Sequence, residues 1–206
     1  MRIAFIDLLG LTYDGNTLNK RGLGGSESAV VLLSKELAQL GFDVTVYNNC
    51  IDSEAEPGIY NGVKYVDHSQ HLIDSSHQNF DIVISSRSVY PFMADNQYAR
   101  TTMSAKYRAL WMHDTFCQGD EHIEDMLNQQ FIHEVYTLSD FHTNYVLNAD
   151  HGGKKRMFDV IRHRAWQTRN GAVCWIDEVD VNKKDPTHFV YNASATKGLI
   201  PLLNDV

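Results

Sequence analysis

Residues 2 to 48 read as one parallel crossover, and this constrains the fold more than any other feature of the chain. "RIAFIDLL" is a short apolar run of the kind that makes a strand buried on both faces. A polar, glycine-rich loop follows, from Gly10 to Gly25. "SESAVVLLSKELAQLG" then has helical spacing, with Ser26 placed to cap it, Glu27 suited to its positive end and Gly41 to stop it. Ala29, Leu33, Leu37 and Leu40, broadened by Val30 and Ala38, form the stripe expected to lie on a sheet. "FDVTVYN" is a second strand. Strand, loop, helix, strand is the βαβ unit of a parallel sheet.

The alternation continues. "VKYVD", "FDIVISSR", "YRALWMHD" and "HEVYTLSD" read as strands. "EHIEDMLNQQ" reads as helical, and "SDFHTNYVLNAD" as a helix capped by Ser139 or Asp140. "HGGKKRMFDVIRH" should hold one strand, and "RHRAWQTRNG" ends in an Asn-Gly turn. The polar connector "DEVDVNKKDPT" marks a domain boundary near residue 180. The fold expected is therefore α/β, a Rossmann-like parallel sheet with helices on both faces. It spans residues 1–180, with residues 181–206 as a linker and the start of a further βα unit.

Composition narrows the partners. With 18 basic against 26 acidic residues the net charge is −8, so bulk attraction to nucleic acid is not expected. The three cysteines, Cys50, Cys117 and Cys174, are odd in number and widely spaced. They point to reduced thiols in a cytosolic protein, not to a disulfide framework or a zinc site. His122, His133, His142 and His151 have no partners at metal-ligand spacing and read as surface or core residues; no metal is expected.

The loop ending in "GLGGSE" poses the functional question. Glycines before a helix offer free N–H groups and a positive dipole end to an anion, or they form a plain turn. The G-x-G-x-x-G fingerprint fits badly, since Glu27 would stand at its third glycine. The second strand also ends in Asn48 and Asn49, not in a ribose-binding acid. A P-loop fails for want of Gly-Lys-Ser/Thr.

Four segments in order carry a resemblance: "GLGGSE" after a buried first strand; "ALWMHD"; "VYTLSDFHTNYV"; and "TRNGAV" followed by "HFVYNASATKGLIPLL". Together they resemble the N-terminal half of a GT-B glycosyltransferase, most of all the retaining family GT4. The resemblance implies two Rossmann-like domains facing a cleft, with a nucleotide sugar as donor, no other cofactor, and an acceptor that is a glycan, lipid or small molecule. It implies that Gly24, Gly25 and Ser26 approach the donor diphosphate, with Lys197 on the same phosphates. It implies that His113 contacts the transferred sugar, with Asp114 orienting it or capping the next turn. Where the family often has an arginine, this chain has Asn192, Ala193 and Ser194. The chain is expected to end inside the first βα unit of the donor-binding domain. Transfer is then not expected from these residues alone, and self-association through the C-terminal segment is. The expected location is cytoplasmic or peripheral at a membrane. Two other readings stay open: a non-catalytic Rossmann-like binding or assembly module, and a related GT-B epimerase.

Overall fold

The computed structural model describes residues 1–70, 79–93, 105–115, 117–148, 150–151, 154–155 and 163–168. The chain divides into two units, Met1–Asn170 and Gly171–Val206. The boundary near 180, the Asn170-Gly171 turn, Cys174, Lys197 and the segment "HFVYNASATKGLIPLL" lie outside the described residues.

The strands are β1 (Arg2–Asp7), β2 (Asp43–Asn48), β3 (Gly58–Tyr60), β4 (Val63–Asp67), β5 (Phe80–Ser86), β6 (Ala105–Trp111), β7 (Glu134–Thr137), β8 (Asp150–His151), β9 (Lys154–Lys155) and β10 (Ala165–Gln167). The helices are α1 (Gly25–Gln39), α2 (Ile123–Asn128) and α3 (Asp140–Asn148). Eight strands form one sheet in the order β10-β7-β6-β5-β1-β2-β4-β3. All its pairings are parallel except β3 with β4. β8 and β9 pair with each other as a separate two-stranded antiparallel sheet. This is the Rossmann-like α/β sheet expected from the alternation.

β1 sits at the centre because its side chains tolerate no water: Ile3, Ala4, Phe5 and Ile6 are all buried. Its two sides face different cores. Ile3 and Phe5 join Val30 and Val31 of α1, with Val44 and Val46 of β2. Ala4 and Ile6 join Ile123, Met126 and Leu127 of α2, and Val146 of α3. Helices therefore cover both faces, as a parallel sheet built from crossovers requires.

Several expectations need correction. The buried face of α1 is Glu27, Val30, Val31 and Ser34, whereas Leu33 and Leu40 of the expected stripe are exposed, Leu40 by 74%. Two polar side chains occupy inward positions and rotate the buried face away from Leu33 and Leu40, while Val30, Ala29, Leu37 and Ala38 of the stripe do pack on the sheet core. Ser34 is satisfied there by Oγ donating to the Val31 carbonyl, with the Tyr65 hydroxyl 3.3 Å away. Ser26 is not the cap of α1; Gly24 is, and it has no side chain to bond. Gly41 does end the helix, in the left-handed region at φ +88°. "VKYVD" is half of a hairpin, because Asn61 and Gly62 both take positive φ and turn β3 back onto β4. "RHRAW" contributes β10, a strand of the main sheet.

Candidate functional site

The strand order reverses at β1, whose neighbours are β2 on one side and β5 on the other. In open α/β sheets ligands bind at the carboxyl ends of the strands beside such a switch point. Asp7 is the last residue of β1, Arg87 directly follows β5, and His113 lies two residues beyond the end of β6. The glycine loop delivers the start of α1 above the same edge.

A buried ion cluster holds that loop. Arg87 Nη2 donates to Asp7 Oδ1 at 2.9 Å and to Glu27 Oε1 at 3.0 Å. Both carboxylates are buried. Glu27 also accepts from the Leu11 amide and from the Ser26 hydroxyl. Asp7 Oδ2 accepts from the Tyr13 hydroxyl at 3.1 Å. The cluster thereby ties the end of β1, the loop, the start of α1 and the end of β5 to one guanidinium. Arg87 does this from a left-handed backbone, φ 60°, a strained conformation for a side chain of its size. Its amide donates to the Trp111 carbonyl and its carbonyl accepts from the Gln118 amide, so neighbours on both sides hold the strain.

The electrostatics follow from burial. Desolvation raises the Asp7 carboxyl above its ordinary range, against the pull of Arg87 and Tyr13. Burial works to raise Glu27 too, but its own amide, Arg87, the Leu11 N–H and the Ser26 hydroxyl together hold it below the usual range. Arg87, flanked by both carboxylates, is raised despite its burial. His113 is pushed down to about 4, by burial first and then by the Arg87 charge. Its ring is therefore neutral at physiological pH, with one nitrogen a donor and the other an acceptor.

Among the described residues neither His113 ring nitrogen has a hydrogen-bond partner, although both are buried. The ring lies against Trp111, centroids 4.3 Å apart. Ser86 pairs in register with Trp111. Ser86 Oγ, Trp111 Nε1 and Arg87 Nε are likewise buried and without a partner among the described residues. Orphaned polar atoms in a folded interior call for an explanation. Here four residues that carry them gather at the carboxyl ends of β5 and β6. Most of these atoms are donors, so the arrangement is suited to oxygen acceptors.

His113 belongs to the cluster just described. Asp114 does not orient it: the Asp114 carboxylate is exposed, and among the described residues no carboxylate meets the His113 nitrogens. Gly24 has a local structural reason, since a Cβ there would collide with Glu27 Oε2. Gly25 has none, because an added Cβ would meet nothing within 4 Å. Ser26 gives its hydroxyl to Glu27. Arg87 escaped the sequence reading, as did Glu27 in its role as hub. "SSRSV" looks like a polar strand end, and only the strand order reveals that it faces β1. His122 pairs with Glu121, and the His133 ring accepts from the Arg108 amide. Cys50 and Cys117 are buried and form no disulfide among the described residues. Among the described residues no group of His, Cys, Asp and Glu is arranged to hold a metal ion, and no helix is long and apolar enough to cross a membrane.

Compared with protein-family models, with curated proteins and with solved structures, the chain gives no match.

Proposed function

We propose that this chain is the acceptor-side half of a retaining glycosyltransferase that takes a nucleotide-diphosphate sugar, with the site at the carboxyl edge around His113. The observation that carries the reading is the His113 ring: neutral, half-buried, with both nitrogens buried and without a partner among the described residues, beside the switch point and the glycine-led start of α1. A neutral imidazole can donate to one sugar hydroxyl and accept from another. The amides of Gly25 and Ser26 precede the first bond of α1, Ser28 N to Gly24 O, and have no partner among the described residues, which suits them to meet a diphosphate oxygen. Such donors would also stabilise the diphosphate as it leaves. The end of β2 argues for a sugar nucleotide over a dinucleotide. Asn48 stands there, buried, its amide nitrogen donating to the Tyr13 carbonyl at 2.6 Å, where a ribose-binding acid would be needed.

Replacing Gly25 by valine tests this. The added side chain enters open space, so the thermal midpoint should stay near that of the wild type. Calorimetric binding of a uridine- or guanosine-diphosphate hexose should be lost. Lost binding with a collapsed midpoint would make the turn structural, and full binding would make it a linker.

One observation favours a second reading, a module that binds an uncharged ligand. Beside the glycine turn two carboxylates face one guanidinium, and that balance is unfriendly to an anion. Free hexose perturbing His113, with nucleoside diphosphate doing nothing, would support this module over the transferase.

A further inference from the structure

His142 received no role from the sequence, yet it holds the segment that carries His113. It is buried near the start of α3. Ser139 caps that helix by accepting the His142 amide at 3.1 Å. The His142 ring Nδ1 lies 3.2 Å from the Leu138 amide nitrogen. A backbone N–H only donates, so Nδ1 accepts. The ring proton must then sit on Nε2, which is 2.8 Å from the Asp114 carbonyl oxygen and donates to it. Ser139 and His142 thus make a variant of the capping box: histidine stands where glutamate is usual, its ring accepts the N–H of Leu138, one residue before the cap, and it has a second hand to spare.

That second hand matters because of what lies on the other side of His113. The Met112 amide donates to the Tyr136 carbonyl of β7 at 2.8 Å. His113 is therefore gripped at both flanking residues by one continuous piece of chain, the end of β7 and the first turn of α3. The junction is itself firm: the Thr143 amide donates to the Ser139 carbonyl, and the Thr143 and Thr137 hydroxyls are 2.5 Å apart.

We propose that His142, in its Nε2–H tautomer, is the positioning residue that fixes the His113 backbone at the site. This rests on the reading of His113 as a ligand-facing residue. The geometry states what the ring must supply: one acceptor towards Leu138, one donor towards Asp114. A glutamine amide offers the same pair. Leucine offers only volume.

The test uses the full 206-residue chain, labelled at histidine and at backbone nitrogen, as wild type, His142→Gln and His142→Leu. In the wild type, long-range proton–nitrogen spectra should show His142 protonated at Nε2. In His142→Leu the Leu138 amide should exchange roughly tenfold faster or more, as loss of a buried hydrogen bond implies. The His113 Cε1–Hε1 resonance should shift and broaden. His142→Gln should restore both signals. A core-filling role gives the opposite order, with leucine wild-type-like and glutamine disturbed, and would overturn the proposal. So would an Nδ1–H tautomer in the wild type. If His142→Leu fails to fold, the tautomer and the glutamine variant still decide. A nucleotide-sugar titration that leaves His113 unmoved would remove the glycosyltransferase reading and leave the clamp standing.

Discussion

Replacing Arg87 by methionine is expected to destabilise the chain by roughly 3–5 kcal/mol, among the largest effects a single substitution can have here. Asp7 is 0% exposed and Glu27 3%, and one nitrogen of Arg87 bonds to both. Taking it away leaves two carboxylates buried near each other with no cation between them. Asp7, already raised by burial, would respond by taking up a proton, so adding Asp7→Asn to the methionine variant should recover part of the loss. The left-handed backbone gives an internal control. Arg87→Gly relieves the conformational strain and should be less harmful than methionine by about 1 kcal/mol. Urea unfolding of the four proteins measures all of this. A methionine variant within ~0.5 kcal/mol of wild type would mean that the cluster does not hold the loop.

The second large effect concerns pH. The His113 ring is held down to about 4 in the fold, against 6.5 for the unperturbed side chain. Below pH 6.5 the unfolded chain therefore takes up a proton that the folded chain refuses. The stabilisation from keeping His113 neutral is complete above pH 6.5 and is lost as pH falls towards 4. Its full size is up to ~3 kcal/mol. Asp7 works in the opposite direction: with its pKa raised, its contribution falls as pH rises above the ordinary carboxylate value. The informative quantity is thus the difference between wild type and His113→Asn. That difference should change by up to ~3 kcal/mol between about pH 7 and about pH 4. Parallel stability curves would show that the ring is solvated in the folded protein.

The sheet was legible because its signal is repeated: each buried strand stands between polar loops, and the period changes from strand to helix and back. The phase of α1 was legible only in part, because Glu27 and Ser34 are polar residues at inward positions: Glu27 is held by Arg87 of a distant strand end, and Ser34 by the Val31 carbonyl of its own helix with the Tyr65 hydroxyl beyond it. The β3–β4 hairpin left a local sign, Asn61-Gly62, next to a strand already recognised. His113 was legible as a polar residue at a strand end. Arg87 was not, since its meaning depends on β5 lying beside β1, and strand order is not written locally. Glu27 was readable as a helix-start acid, but its bond to Arg87 spans sixty positions. His142 could have been suspected from Ser139 three residues earlier, had the capping-box pattern been extended to histidine. Asp114 attracted notice for its carboxylate, whereas its backbone carbonyl makes the contact that matters.

The measurement that bears most directly on the central claim is an NMR titration of the 206-residue chain with uridine- and guanosine-diphosphate hexoses, up to roughly 10 mM to reach weak affinities. The amides of Gly25 and Ser26 and the His113 ring should respond to one of these ligands along a single binding curve. The amides of Tyr60 and Lys64, at the far edge of the sheet, should stay in place. Unmoved His113 and Gly25 signals throughout, or changes confined to the β3–β4 edge, would contradict it.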